Sequence, residues 1–141
     1  MGCELCDAVG GKLIWQDDRC RAVRVGDPDY PGFCRVIWRG HVREMTDLTA
    51  ADRMHFMEVV FAVEAALRRA LSPHKINLAS FGNVTPHLHW HVIPRYVDDQ
   101  HFPRPVWAAP VRDGVPAPID GEHLDAEIRA EIAHTKTVAY K

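Results

Sequence analysis

The run His87-Leu88-His89-Trp90-His91-Val92-Ile93-Pro94-Arg95 alternates an imidazole with a large apolar side chain three times before it meets a proline. Successive side chains leave a β-strand on opposite faces, so this alternation predicts a half-buried strand. The strand is expected over His87–Ile93 and is stopped by Pro94. Leu88, Trp90 and Val92 then face the core, and three imidazoles share the other face. Neighbours on one strand face stand about 6–7 Å apart, so two of these histidines can grip a phosphate held over the third.

Working outward, Lys75–Phe81 predicts the preceding strand, joined to the histidine strand by a tight turn at Gly82–Pro86. Before it, Thr49-Ala50-Ala51-Asp52 resembles a capping box with Asp in the acidic position. Phe56, Val60, Val63, Leu67 and Leu71 follow at helical spacing until Ser72-Pro73 ends the helix. Earlier still, Lys12–Gln16 and Arg19–Val25 flank the polar pair Asp17-Asp18 as a hairpin, and Phe33–Trp38 predicts a third strand. Between them, two prolines and two glycines make residues 26–32 a loop. Downstream, prolines at 103, 105, 110, 116 and 118 predict an extended segment over 98–118. Leu124, Ile128 and Ile132 then mark a short C-terminal helix over 120–134. The order β-β-β-α-β-β gives an α+β class: a five-stranded antiparallel sheet, one long helix and a short terminal helix in a single domain over 1–141.

A chain of 141 residues, 47% hydrophobic, can build one genuine core. Its formal charge of −2 gives no general attraction to nucleic acid or anionic membrane, so any phosphate site has to be built locally. No stretch approaches the length of a membrane span, and Glu4 and Asp7 stand where a signal peptide carries bases, so the expected location is cytoplasmic. In that reducing compartment Cys3-Glu4-Leu5-Cys6 has the spacing of a metal knuckle, whereas Cys20 and Cys34 sit in apolar strands as small core residues.

Histidine suits phosphoryl chemistry because its neutral ring is a nitrogen nucleophile and its protonated ring a donor near neutral pH. An uncharged nucleophile also avoids repulsion by an anionic substrate, while flanking histidines stabilise charge on the equatorial oxygens. The same spacing also suits metal ligands or a merely solvated polar face.

The run at 87–95 resembles the histidine-triad motif, in which His alternates with hydrophobic residues and Pro-Arg commonly follows. The resemblance extends to Cys3, the early strands, Pro31-Gly32, Val36-Ile37-Trp38-Arg39-Gly40-His41, the long helix and Asn77. It implies a histidine-triad fold and an enzyme, a hydrolase or nucleotidyl transferase of the bacterial Hint or dinucleoside-polyphosphate-hydrolase-like branch. His89, the middle histidine, would attack the α-phosphorus of a purine nucleotide conjugate to give a nucleotidyl-histidine. His91 would contact the phosphate, His87 would support the nucleophile's strand, and His41 would complete the catalytic set. Asn77 would lie near the phosphate.

The chain departs from the family pattern at three places. Only Phe81-Gly82-Asn83-Val84-Thr85-Pro86 stands where relatives carry a longer Gly-rich loop, leaving Asn83 and Thr85 as local contacts for the leaving group. The ribose-binding acid falls near Val25, with Asp27 as a shifted replacement. Phe33 follows Pro31-Gly32 where many members have histidine.

Relatives that begin Cys-x-x-Cys imply a further site. Cys3, Cys6, His41 and His87 would make a Cys2His2 set for a structural zinc, with no cofactor required for catalysis. Trp107 would cover the base or leaving group, and the assembly would be a homodimer. A contrasting expectation is a non-catalytic nucleotide- or zinc-binding module that keeps the fold.

Overall fold

The computed structural model describes the backbone of residues 2–139 and the side chains through Thr135. Met1, Tyr140 and Lys141 of the expected 1–141 domain lie outside the described residues.

The first hairpin forms around Asp17, whose Oδ1 accepts from the backbone N–H groups of Arg19 and Cys20, both at 2.8 Å. Such a side-chain turn closes a short connection without glycine. It joins β1 (Lys12–Gln16) to β2 (Cys20–Arg24), which pairs with β3 (Cys34–Trp38). The long helix, α2 (Ala50–Leu71), begins where its cap predicts: the Thr49 hydroxyl accepts from the Asp52 N–H. It ends at Ser72, which adopts φ 48°. The chain then forms β4 (Lys75–Ala79) and β5 (His89–Arg95), and the antiparallel sheet runs β1-β2-β3-β5-β4.

One sheet face carries Ala22, Cys34, Val36, Ile76, Leu88 and Val92 against Phe56, Val60, Val63 and Leu67 of α2, all buried. Burying each Val, Leu, Ile or Phe side chain among them contributes roughly 1.5–3 kcal/mol. The C-terminal helix, α3 (Gly121–Ala139), adds Leu124, Ile128 and Ile132 and packs on α2 and β1. Register puts Arg21, Arg35, Ile37, His89, His91, Asn77 and Arg95 on the opposite face. Every site residue on the sheet therefore lies on the side away from α2 and α3.

Several boundaries differ from the sequence reading; β2 and β3 are shorter by a residue at the expected ends Arg19, Val25 and Phe33. The histidine strand runs His89–Arg95 rather than His87–Ile93. Pro94 does not stop it, because pairing with β3 has already ended at Cys34–Val92 and a proline is tolerated beyond its neighbour's ladder. His87 and Leu88 stay extended through bonds from Leu88 N to Val42 O and from Trp38 N to Leu88 O. The preceding strand stops at Ala79, where the Ser80 hydroxyl donates to the His89 carbonyl at 2.6 Å and the chain turns away.

The segment 98–118 is not uniformly extended. Residues 97–112 are mostly turns and bends around the buried Asp99, and 113–120 have no regular secondary structure, with Gly114 at φ 79°. The terminal helix is also longer than 120–134. Two further elements have no periodicity long enough to predict them: a 3-10 turn at Met45–Asp47, and the single turn α1 (Glu4–Asp7), which carries Cys6 just after Cys3.

Candidate functional site

The three histidines share one face, as the alternation predicts, but their rings meet two different sets of neighbours. All three are strongly buried, with 0%, 7% and 6% exposure for His87, His89 and His91. His87 donates from Nε2 to the Trp38 carbonyl at 2.6 Å, which leaves the Nδ1 lone pair free. That atom faces Cys3 Sγ at 3.5 Å, Cys6 Sγ at 3.4 Å and His41 Nδ1 at 3.3 Å. His41 Nδ1 also lies 3.4 Å from Cys6 Sγ, and the four donor atoms all lie within 4.8 Å of one another. Ligands about 2.0–2.3 Å from a tetrahedral zinc stand about 3.3–3.8 Å apart, so the spacing, the donor types and the backbone-fixed His87 tautomer fit that ion.

His89 points the other way. Its Nδ1 donates to the His87 carbonyl at 2.6 Å, so the Nε2 lone pair is left for the cleft. The cleft has a volume of about 470 Å3, and His89, His91, Asn83, Thr85, Trp107 and Arg35 all line it. This is within the usual range for small-molecule sites. Trp107 packs edge-on against His91 and Phe81, each with ring centroids 4.9 Å apart, and Phe33 meets His91 at 5.6 Å. Gly82, at φ 71°, makes the turn that brings Asn83 and Thr85 over the strand; a left-handed backbone of this kind favours glycine.

Burial lowers the pKa of all three histidines. The strongest effect is at His91, which burial, then His89 and Arg35, push down to about 3. Burial thus favours a neutral His91 at neutral pH, so any charge stabilisation it offers is that of a neutral ring. The fixed positive charge on this cleft comes instead from Arg35, which sequence reasoning missed. Its signal was a lone charge inside the apolar strand Cys34-Arg35-Val36-Ile37-Trp38.

Other expected residues lie elsewhere. His41 is exposed among the cysteines and does not line the cleft. Asn77 does not line it either, and its Oδ1 accepts from Arg95 Nη1 at 2.8 Å. Asp27 is occupied in its own loop, where Oδ1 accepts from the Asp29 N–H at 2.9 Å. A second hollow of about 600 Å3 is lined by Leu5, Cys6, Gln16, Asp17, Cys20, Arg21 and Arg39, and it contains no triad histidine. Its Arg21 is tied to the carbonyls of Leu5, Ala8 and Val9.

An antiparallel sheet with helices on one face and alternating histidines beside a cleft on the other defines an α+β histidine-triad protein. The HIT domain model matches residues 9–98, and the chain belongs to that family, whose members are generally nucleotide-binding proteins and hydrolases. Among solved structures, a histidine triad protein from Sinorhizobium meliloti is 27% identical, with a TM-score of 0.70 over 93% of this chain and 96% of that one. One from Bradyrhizobium japonicum is 26% identical, with a TM-score of 0.70 over 86% and 91%. A zinc-bound histidine triad family protein from Mycobacterium smegmatis shares the fold at 22% identity, with a TM-score of 0.65 over 98% of both chains. No curated protein matches the sequence. Among the described residues, no helix is long and apolar enough to cross a membrane.

Proposed function

We propose that this protein is a nucleotide hydrolase or nucleotidyl transferase acting at the α-phosphate of purine nucleotide conjugates such as phosphoramidates and dinucleoside polyphosphates. The observation that carries this reading is the 2.6 Å hydrogen bond from His89 Nδ1 to the His87 carbonyl. It fixes the tautomer that aims an Nε2 lone pair at the cleft, so no separate base is needed to make the nucleophile.

Nε2 forms a bond to phosphorus while the bond from phosphorus to the leaving atom breaks, and the leaving group departs with the electron pair. Water or another acceptor then attacks the same phosphorus, and the bond from phosphorus to Nε2 breaks with its electron pair returning to the ring. The acceptor's proton leaves to solvent or to the departed leaving group, which restores His89. His91 and the Asn83 and Thr85 side chains surround the phosphate and the leaving group. Trp107 offers a ring face for the base or leaving group.

Cys3, Cys6, His41 and His87 would hold a structural zinc, which pins the N-terminal turn beside the sheet and is not required for the chemical step. The zinc-bound relative of the same fold supports that assignment. Of the two roles expected of His41, its neighbours favour the ligand role. Met54 and Phe61, exposed seven residues apart on α2, suit a homodimer contact, and the compartment we assign is the cytoplasm.

The test is incubation with a panel of nucleotide conjugates followed by mass spectrometry. The expected result is a nucleotide adduct on His89, and loss of both adduct and turnover in His89→Ala with nucleotide binding still measurable. Turnover of His89→Ala within about tenfold of wild type would overturn the mechanism, since loss of a covalent nucleophile removes far more than that.

A further inference from the structure

Three arginines share the sheet face opposite the helices, and two of them have evident structural partners. Arg21 binds the carbonyls of Leu5, Ala8 and Val9. Arg95 binds Asp99 through two nitrogens, and also Asn77 and the Arg104 carbonyl. Arg35 differs. Its Nη1 reaches the Gly10 carbonyl at a long 3.4 Å, and its Nε is buried with no partner.

Leaving a buried polar group unpaired costs free energy, so such a group persists where a ligand completes it. Arg35 stands directly opposite His91 in the β3–β5 register, and the His91 Nδ1 is likewise buried without a partner. Two unsatisfied nitrogens, on facing residues of adjacent strands, thus lie beside the same cleft. Among the described residues lining it there is no carboxylate; Glu4, outside the cleft, acts on Arg35 at a distance and forms no ion pair with it among the described contacts.

We infer that Arg35 is an anion-recognition residue, which binds a second anionic group of the substrate beyond the phosphate attacked by His89. The guanidinium presents a planar fork of donors that matches phosphate oxygens, and it remains charged even when burial lowers its pKa. Strands lie about 4.8 Å apart, so the second group sits within roughly one strand spacing of the attacked phosphorus. A further phosphate meets this requirement if it continues the phosphate chain or if it esterifies a ribose hydroxyl. The inference deepens the reading of the same cleft given above, but the binding it asserts does not depend on covalent chemistry at His89.

Calorimetric titration of the full-length protein with AMP, ADP and adenosine 2′,5′-bisphosphate separates the possibilities. At least one two-phosphate ligand should bind about tenfold or more tighter than AMP, the gain typical of a charge-assisted bond. ADP gaining alone identifies the phosphate chain, and the bisphosphate gaining alone identifies the ribose. In Arg35→Gln that advantage should fall to within about twofold, and Arg35→Lys, which keeps the charge but not the fork, should restore part of it.

If neither ligand gains over AMP in the wild type, or if the gain survives in Arg35→Gln, the inference is wrong. Thermal unfolding supplies the second readout. Removing a half-buried guanidinium whose Nε has no partner should leave Tm unchanged or raise it, whereas a fall in Tm with AMP binding lost as well would show that Arg35 is merely structural. Failure to find an adduct on His89 would sink the mechanism without altering these affinities.

Discussion

His89 Nδ1 donates to the carbonyl oxygen of His87, two residues back on the same extended run, at 2.6 Å. Because a carbonyl can only accept, the proton is fixed on Nδ1 and the lone pair on Nε2. Two-bond proton–nitrogen NMR of histidine-labelled protein should therefore show the Nδ1–H form for His89. It should show the opposite form for His87, whose Nε2 donates to Trp38. An Nε2–H tautomer at His89 would contradict the geometry and remove the nucleophile.

The four-donor cluster predicts one zinc per chain by elemental analysis of carefully prepared protein. Replacing Cys3 and Cys6 with serine removes both thiolates and should abolish zinc content. A ligand that binds only the folded state stabilises it, so loss of the metal should lower Tm by about 5 °C or more. Because α2, α3 and the sheet form their own core, the variant should still unfold cooperatively. Wild-type protein without zinc would eliminate the site.

How much of this was legible in the sequence depended on whether the signal was local. The alternation at 87–92, the cap at Thr49 and the turn at Asp17 are each set by a few neighbouring residues, and each forms. The division of labour among the histidines was expected only through the family resemblance and not from the alternation itself, because it depends on which carbonyl each ring meets: Trp38 for His87 and His87 itself for His89. Arg35 was missed for the same reason, since its partner His91 lies 56 positions away in sequence and meets it only through strand register. Prolines in 98–118 gave the wrong picture of that segment, because the buried acceptor Asp99 gathers the chain into turns that no proline pattern encodes.

That acceptor leads to a third prediction. Asp99 takes hydrogen bonds from Arg95 Nε and Nη2, from the Tyr30 hydroxyl and from the N–H groups of Tyr96, His101 and Phe102. Burial alone would raise its pKa, but Arg95 and the backbone donors hold the carboxyl well below the usual carboxylate range. A depressed pKa means that the unfolded chain binds the proton more readily. The stabilisation is therefore complete above the ordinary carboxylate pKa and lost as pH falls toward the depressed one. Asp99→Asn strands the Arg95 charge and should cost about 3–5 kcal/mol at pH 7. In urea unfolding the gap between variant and wild type should narrow below pH 4, and a gap that holds constant down to pH 2 would refute the assignment.

The last prediction concerns leaving groups and rests on the short turn at 82–86. Among the described residues lining the cleft, the polar side chains are Arg35, Asn83, Thr85, His89 and His91. Asn83 and Thr85 can offer hydrogen bonds but are not acids near neutral pH, and Arg35 does not give up its proton. His89 is the attacking group. His91, pushed down to about 3, carries almost no proton at pH 7 and is a poor general acid. The leaving atom must therefore depart with most of its negative charge uncompensated by proton transfer. The rate should then depend steeply on leaving-group pKa, and adenosine phosphoramidates and mixed anhydrides should outrun simple alkyl phosphodiesters. A series of adenylate esters with graded leaving-group pKa, measured in single turnover, gives the slope directly. A flat dependence with the chemical step rate-limiting would mean that substrate binding charges His91 or brings in a proton donor from outside the cleft. In that case His91→Asn should steepen the slope if His91 is the donor and leave it flat if it is not.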